Sequence, residues 1–282
     1  MNESFFISVC TLGENLNLNR CLNALLTVSK HSKENVQIAV IINNKTCDLE
    51  FDPKITVIFE PDKGYSNVRN AAVSHVPRNA NLIFIDDDEI PTISWFEAIV
   101  NSHRRFPSDV IFGPVYSESS PFSGFYRDAF RGKYDSMPDG VLVKQAGAGN
   151  MLIPSYLLSA SRVVFDPFFN LSGSEDTDLC FRLRKQGVGI RYSKNAIITE
   201  IQASERIDLK YLNARRLRDV CNYSVVIRRN CGIYGIIRRF ATLIFRLAFY
   251  SIMAIVNPEL KFEKKLYLKS TQALFSGQVI LI

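Results

Sequence analysis

Paired cysteines and clustered histidines are missing from this 282-residue sequence. None of its six cysteines belongs to a C-x-x-C pair, and most lie in apolar stretches, as reduced and buried thiols do. The three histidines are far apart and lack the spacing of metal ligands. A disulfide framework, a zinc site and a histidine-based catalytic triad therefore find little support.

Export and membrane-spanning signals are also weak. The first residues contain no basic segment and no long apolar segment, so we expect no cleaved export signal. The long apolar run Phe240 to Val256 is interrupted by Arg246, whereas a spanning helix needs about 20 apolar residues. A hydrophobic fraction of 47% predicts a folded chain rather than a disordered one.

Charge is distributed unevenly along the chain. Residues 1–205 contain 20 Lys or Arg and 24 Asp or Glu, whereas residues 206–282 contain 14 and 4. The resulting balances of −4 and +10 predict a mildly acidic body over residues 1–205 and a basic, helical region over residues 206–282.

Strands and helices alternate along the body. Apolar, β-rich runs predict strands at 5–10, 36–42, 55–59, 82–85, 110–115, 189–193 and 196–199, and helical spacing predicts helices at 16–26, 66–74, 95–106 and 179–185. This alternation predicts an α/β fold with a largely parallel sheet. In such sheets, ligands bind beyond the carboxyl ends of the strands.

Three consecutive aspartates follow the predicted strand at 82–85. Side chains at i and i+2 of an extended segment share a face, so Asp86 and Asp88 lie together and Asp87 points away. Two carboxylates with room for water and phosphate suit Mg²⁺ or Mn²⁺. The alternative is an acidic turn that ends a strand.

A second acidic pair, Glu175 and Asp176, precedes the helix predicted at 179–185. Acidic residues in a first helical turn stabilise the helix dipole, and this alone explains the pair. The functional alternative is a general base that accepts the proton of an attacking hydroxyl.

Several segments in one order carry a family resemblance. They are residues 7–11, 64–72, 84–91 with Trp95, 149–150, and 174–179 with Arg182 and Gly187. Through them the chain resembles a family 2 glycosyltransferase, nearest in pattern to bacterial enzymes of exopolysaccharide and O-antigen synthesis. The resemblance covers about residues 5–225. It implies a GT-A fold, which is a Rossmann-like, mostly parallel mixed sheet flanked by helices, followed here by C-terminal amphipathic helices.

The resemblance also implies a role for each matching residue. Asp86 and Asp88 would bind Mg²⁺ or Mn²⁺ as a DxD motif, and Asp176 would be the catalytic base, with Glu175 beside it. The nucleotide-sugar site would contain Thr11, Glu14, Asn43, Arg69, Asn70, Asp86 and Asp87. Asn150, Arg215 and Arg216 would contact the acceptor or a phosphate, although the arginines are equally explained as solvated helix charges.

The implied reaction is an inverting transfer from a nucleotide-diphosphate sugar, first of all a UDP-sugar, to a hydroxyl of a lipid-linked saccharide in cell-surface polysaccharide synthesis. The chain departs from the family at Thr11-Leu-Gly-Glu14, where Thr-Tyr-Asn-Arg is usual, and at Asn43, where an aspartate is common. These departures leave open a catalytically inactive relative that acts as a membrane scaffold. A metal-dependent nucleotidyltransferase would share the aspartates but would not need a base at Asp176.

The basic region carries an amphipathic pattern. On a helix, Arg228, Gly235, Arg239, Thr242 and Arg246 share one side, and aliphatic residues occupy others. This predicts a helix in the inner-leaflet interface, at the cytoplasmic face of a bacterial inner membrane, with its cations drawn to anionic lipid. The alternative is a helix packed on the body. Nucleic-acid binding is not expected, because the cations alternate with aliphatic residues.

Overall fold

A seven-stranded sheet forms the centre of the protein. The computed structural model describes residues 2–13, 17–117, 135–201, 209–256 and 261–280. The strands are β1 (Ser4–Thr11), β2 (Asn35–Ile42), β3 (Ile55–Phe59), β4 (Asn81–Asp86), β6 (Val110–Phe112), β8 (Met151–Ile153) and β9 (Ile190–Tyr192), in the order β3-β2-β1-β4-β8-β6-β9. Strand β8 runs antiparallel to both of its neighbours, and the other pairings are parallel. The predicted α/β fold with a largely parallel sheet is confirmed.

A second sheet of three short strands lies beside the first. It consists of β5 (Glu89–Pro91), β7 (Val115–Ser117) and β10 (Ile198–Glu200), in the order β5-β10-β7. The strand predicted over 110–115 is therefore two strands in different sheets, separated by Gly113 and Pro114. Proline has no N–H to contribute to a strand ladder, so the chain leaves the central sheet there.

Helices cover both faces of the central sheet. They are α1 (Leu18–His31), α2 (Tyr65–His75), α3 (Trp95–Arg105), α4 (Ser155–Ser159), a 3₁₀ turn (Pro167–Phe169) and α5 (Glu175–Lys185). Because strand side chains alternate between faces, Phe5 and Ile7 pack with the core residues of α1 and α3. Phe6 packs in the opposite core, with the buried residues of α2 and α5.

Three long helices form the C-terminal part of the described chain. They are α6 (Leu209–Asn230), α7 (Gly232–Val256) and α8 (Lys261–Ser276), and they pack against one another. Helix α6 also packs against α5. The predicted boundary at residue 205 falls in residues 202–208, outside the described residues.

The orientation of α7 differs from the prediction. Arg239 turns inward and donates from Nε to the Ser224 hydroxyl (3.0 Å) and from Nη2 to the Val220 carbonyl (3.2 Å). Burial lowers the pKa of this guanidinium. The outward side is largely apolar; Ile233 and Phe245 are each 73% exposed and Ile255 is 82% exposed. The expectation that Arg239 faces lipid is therefore wrong, because the guanidinium is engaged by its neighbouring helices.

Candidate active site

The site lies where β1 and β4 end side by side at the centre of the sheet. Cys10 of β1 is in register with Asp86 of β4. Strand β2 follows on the far side of β1, so the direction of chain progression reverses between β1 and β4. Ligands collect at such switch points in open α/β sheets.

A hydrogen bond joins the ends of these two strands. The Thr11 hydroxyl donates to Oδ2 of Asp87 (2.5 Å) and accepts from the backbone N–H of Gly13 (2.9 Å). Two residues assigned by resemblance to the nucleotide-sugar site are thus brought together. Glu14, from the same segment, lies outside the described residues.

Arg69 connects the two acidic clusters. This buried side chain of α2 donates from Nη1 to Oε1 of Glu175 in an ion pair, and its Nη2 lies 3.5 Å from Oδ1 of Asp86. Both Arg69 and Glu175 are buried, whereas the Asp86 side chain is 43% exposed. Asp86, at the end of β4, and Glu175, at the start of α5, therefore flank one guanidinium.

The electrostatics of the pair follow from its burial. Burial raises the pKa of Glu175 to about 7, although the nearby charge of Arg69 lowers it. Burial disfavours the charge on Arg69, but the carboxylates of Glu175 and Asp86 outweigh this and raise its pKa. Among the described residues, Arg69 Nε and Glu175 Oε2 find no hydrogen-bond partner although both atoms are buried. Such atoms in a native protein indicate a functional site or a bound group.

Asp176 lies beside this pair at the start of α5. Its Oδ1 accepts from the Thr177 N–H (2.5 Å) and its Oδ2 from the Ala148 N–H (3.2 Å). Burial raises the pKa of Asp176, while Arg69 and these N–H groups lower it. A carboxylate held in this way is oriented and remains a proton acceptor.

Glu89 is a site residue that the sequence prediction missed. It is buried, and its Oε2 accepts from the Asp86 N–H (2.9 Å). Burial raises its pKa well above the ordinary value. A Cβ on Gly149 would lie 2.3 Å from Oε1 of Glu89, so the glycine permits this contact. Both residues lie in segments that carry the family resemblance, Glu89 in 84–91 and Gly149 in 149–150. This shared membership was the signal from which Glu89 could have been assigned to the site.

Three predicted asparagines use their amides on backbone groups. Asn43 donates to the carbonyls of Glu60 and Asp62 and accepts from the Gly64 N–H. Asn70 exchanges two 2.8 Å hydrogen bonds with the backbone of Phe165. Asn150 is fully buried, accepts from Trp95 Nε1 (2.7 Å) and donates to the Pro114 and Ala196 carbonyls. The Asn150 amide is therefore engaged within the protein, and the acceptor contact expected of it stays a prediction.

The two predicted phosphate-binding arginines are paired elsewhere. Arg216 forms an ion pair with Glu263 of α8, and Arg215 lies 3.9 Å from Asp219 within α6. Neither described ion pair involves the acidic clusters. The contact of Arg215 and Arg216 with the acceptor or a phosphate stays a prediction.

The donor set suits a divalent cation. Asp86 offers an exposed carboxylate, and Asp88 follows it in the chain with a buried side chain. Among the described residues, no three side chains of ligand type are grouped to hold a metal. Mg²⁺ is typically bound by one or two carboxylates together with water and phosphate oxygens, so the residues fit this ion.

The family model described as glycosyl transferase family 2 matches residues 6–154, which is more than half of the chain. The chain belongs to glycosyltransferase family 2. The matched region contains Thr11, Arg69 and the aspartates after β4, and the family 2 assignment makes the protein a sugar transferase. A comparison of this chain with curated proteins found no match.

A solved structure shows the same fold. It is S. aureus TarS 1-349 in complex with UDP-GlcNAc, with 12% sequence identity and a TM-score of 0.54. The match covers 97% of this family 2 chain and 91% of that chain. At this identity the likeness concerns the fold alone, and the predicted GT-A fold is confirmed.

Proposed function

We propose that the protein transfers a sugar, with inversion, from a UDP-sugar to a hydroxyl of a lipid-linked saccharide. The observation that carries the proposal is the ion pair of Arg69 with Glu175, with Asp86 3.5 Å from the same guanidinium. This arrangement supports a single cleft in which Asp86 lies on the side of the donor diphosphate and the carboxylates at the start of α5 lie on the side that accepts a proton. The UDP-GlcNAc held by the TarS structure supports a uridine donor.

In this reaction Asp176 accepts the proton of the acceptor hydroxyl. The hydroxyl oxygen then bonds to the anomeric carbon, and the diphosphate leaves with the electrons of the broken bond. A raised pKa makes Asp176 a stronger base, and its two N–H donors fix its direction. Arg69 supplies positive charge beside Asp86. A divalent cation at Asp86 and Asp88, when bound, would supply further charge for the departing diphosphate.

Two variants separate binding from catalysis. Asp86→Asn should weaken UDP binding in the presence of Mn²⁺, measured by thermal shift and calorimetry, while Asp176→Asn should bind UDP and lose turnover of UDP-sugars. Asp109→Asn is the control, since this carboxylate binds Arg191 and the Gly189 N–H instead. Normal turnover by Asp176→Asn would refute the assignment of the base. Absence of nucleotide binding and turnover in the wild type, with vesicle binding kept, would favour the inactive scaffold.

The same proposal places the protein on the cytoplasmic face of the inner membrane. Its support is the outward side of α7, where Ile233, Ile237, Phe245 and Ile252 are exposed. Contiguous apolar surface of this kind marks an interaction site. Among the described residues, no helix is both long and apolar enough to cross a bilayer. A helix lying in the interface fits both observations.

Charge favours lipid over a second copy of the chain. Exposed cations accompany the apolar side at Arg238 of α7 and at Lys261, Lys264, Lys265 and Lys269 of α8. Residues 206–282 carry a balance of +10. Two such surfaces repel each other, whereas anionic headgroups attract them.

Sedimentation with vesicles tests the membrane surface. The wild type should sediment with phosphatidylglycerol vesicles, and Phe245→Glu with Ile252→Glu should abolish this. Ile93→Glu is the control, because Ile93 is 93% exposed but precedes α3 in the body. A concentration-dependent dimer that needs Phe245 and ignores vesicles would refute lipid as the occupant.

A further inference from the structure

The backbone before the two candidate catalytic carboxylates adopts an unusual conformation. Gly173 and Ser174 both have positive φ angles, 73° and 77°, directly before Glu175. Glycine adopts this region freely, but a serine there is strained and persists only with support from its surroundings. The direction in which α5 starts therefore depends on contacts made to residues 172–174.

That support comes from α6. Asn222 is fully buried, and its Nδ2 donates to the Ser172 carbonyl (3.1 Å), which is itself in a buried residue. Its Oδ1 accepts from the Ile280 N–H (2.9 Å). One amide thus joins the loop before Glu175 to the C-terminal segment of the described chain.

Two further contacts fix the same elements. Asn230, at the end of α6, donates to Oδ1 of Asp178 in the first turn of α5 (2.7 Å), and both side chains are buried. Phe169 and Phe181 form an apolar cluster with residues of α6, including Val225. Helix α6 is therefore packed onto the loop and onto the helix that carry the carboxylates.

We propose that Asn222 is a positioning residue for the carboxylates at the start of α5. By holding the Ser172 carbonyl, it sets the start of α5 so that Glu175 reaches Arg69 and Asp176 reaches the Ala148 N–H. The C-terminal helices then complete the catalytic centre as well as carrying the membrane surface. The expected fall in kcat rests on the proposed function. The positioning of the start of α5 can be measured independently of activity, by hydrogen exchange.

Asn222→Asp is the sharpest variant, because it keeps an acceptor for the Ile280 N–H and removes the donor to Ser172. A misplacement of about 1 Å can cost about a hundredfold in rate, so kcat should fall at least about tenfold. The Kd for UDP with Mn²⁺ should rise by a smaller factor than kcat falls, since the contact between Thr11 and Asp87 is untouched and only the pairing of Arg69 with Glu175 is shared. Asn222→Ala, which introduces no charge, should give the same pattern if Asn222→Asp does not fold.

Ser224→Ala is the matched control. Ser224 is also buried in α6, but it bonds Ser270 of α8 and Arg239 of α7 rather than the loop. It should lower the melting temperature and leave kcat unchanged. Equal falls of kcat in Ser224→Ala and Asn222→Asp, or an unchanged kcat in a folded Asn222→Asp, would refute the proposal.

Hydrogen exchange separates this proposal from the proposed function. Backbone amides of residues 172–180 should exchange faster in Asn222→Asp than in Ser224→Ala at equal stability. If the wild type transfers no sugar but this difference is found, the positioning role stands and the reaction assignment fails. If the exchange rates are equal, the positioning role fails whatever the wild-type activity.

Discussion

Removing Arg69 should change how stability depends on pH. In the wild type the pKa of Glu175 is about 7, and Arg69 is the charge that lowers it. In Arg69→Met this buried carboxyl keeps its desolvation and loses its cation, so its pKa rises further. It then stays protonated in the folded protein at pH values where the unfolded chain is ionised.

The sign and the size follow from proton linkage. A group with a raised folded pKa stabilises the fold at low pH, and this stability is lost as pH rises from the unfolded value through the folded one. In the wild type the loss is largely complete above about pH 7. In Arg69→Met it continues, at about 1.4 kcal/mol per pH unit. Between pH 7 and pH 8.5 the variant should therefore lose more stability than the wild type, up to about 2 kcal/mol for a pKa raised above this range.

Thermal unfolding of both proteins at pH 7 and pH 8.5 measures this difference. For a domain of this size, about 2 kcal/mol corresponds to roughly 4 to 8 °C of additional fall in melting temperature. The double variant Arg69→Met with Glu175→Gln has no titrating group at position 175, so its additional fall should be smaller than that of Arg69→Met; the part that remains comes from Asp176, whose pKa Arg69 also lowers. A melting-temperature gap between Arg69→Met and the wild type that is equal at both pH values would refute the reasoning.

Three stability predictions concern the asparagine contacts near the site, each measured by urea unfolding. Asn43→Asp should lose about 2 kcal/mol, because a carboxylate cannot donate to the two carbonyls that Asn43 binds; an unchanged midpoint would contradict this. Gly64→Ala should lose at least about 2 kcal/mol, because its Cβ would lie 2.0 Å from Asn170 Oδ1 at a φ of 145°. Trp95→Phe should lose about 1 to 3 kcal/mol, since it leaves Asn150 Oδ1 without its indole donor; Trp95→Phe should not alter UDP binding.

The central sheet was predictable because β1 and β2 have eight residues each and are buried over most of their length. The run at 36–42 is almost entirely apolar, as in a strand covered on both faces, and β2 follows it closely. The three-stranded sheet was not predictable as a sheet: β10 overlaps the strand predicted at 196–199, but no local pattern pairs it with β5 and β7, which lie far away in the chain. The backbones of Gly113 and Ala196 also lie too close for a side chain at position 113, since a Cβ there would be 2.0 Å from the Ala196 carbonyl. The sequence does not reveal this contact.

The site was predictable in its residue types and only partly in its contacts. The sequence marks Asp86 and Glu175 as acidic clusters, but Arg69 and Glu175 are 106 residues apart, and no local pattern pairs them. The backbone contacts of Asn70 and Asn150 were not predictable for a related reason. An amide that binds backbone carbonyls and one that binds substrate look the same in a sequence, and only the fold distinguishes them.

Helix α7 shows what periodicity leaves undecided. A period of 3.6 residues says which side chains share a side of a helix, but the neighbouring helices decide which side turns inward. Here Ser224, the Val220 carbonyl and the Tyr223 ring, 4.9 Å from the guanidinium, compensate Arg239 for its lost water. Arg239 is half-buried while Phe245 is 73% exposed, and this is the reverse of what water alone favours. The neighbouring helices, rather than the period of the sequence, therefore decide which side of α7 turns inward.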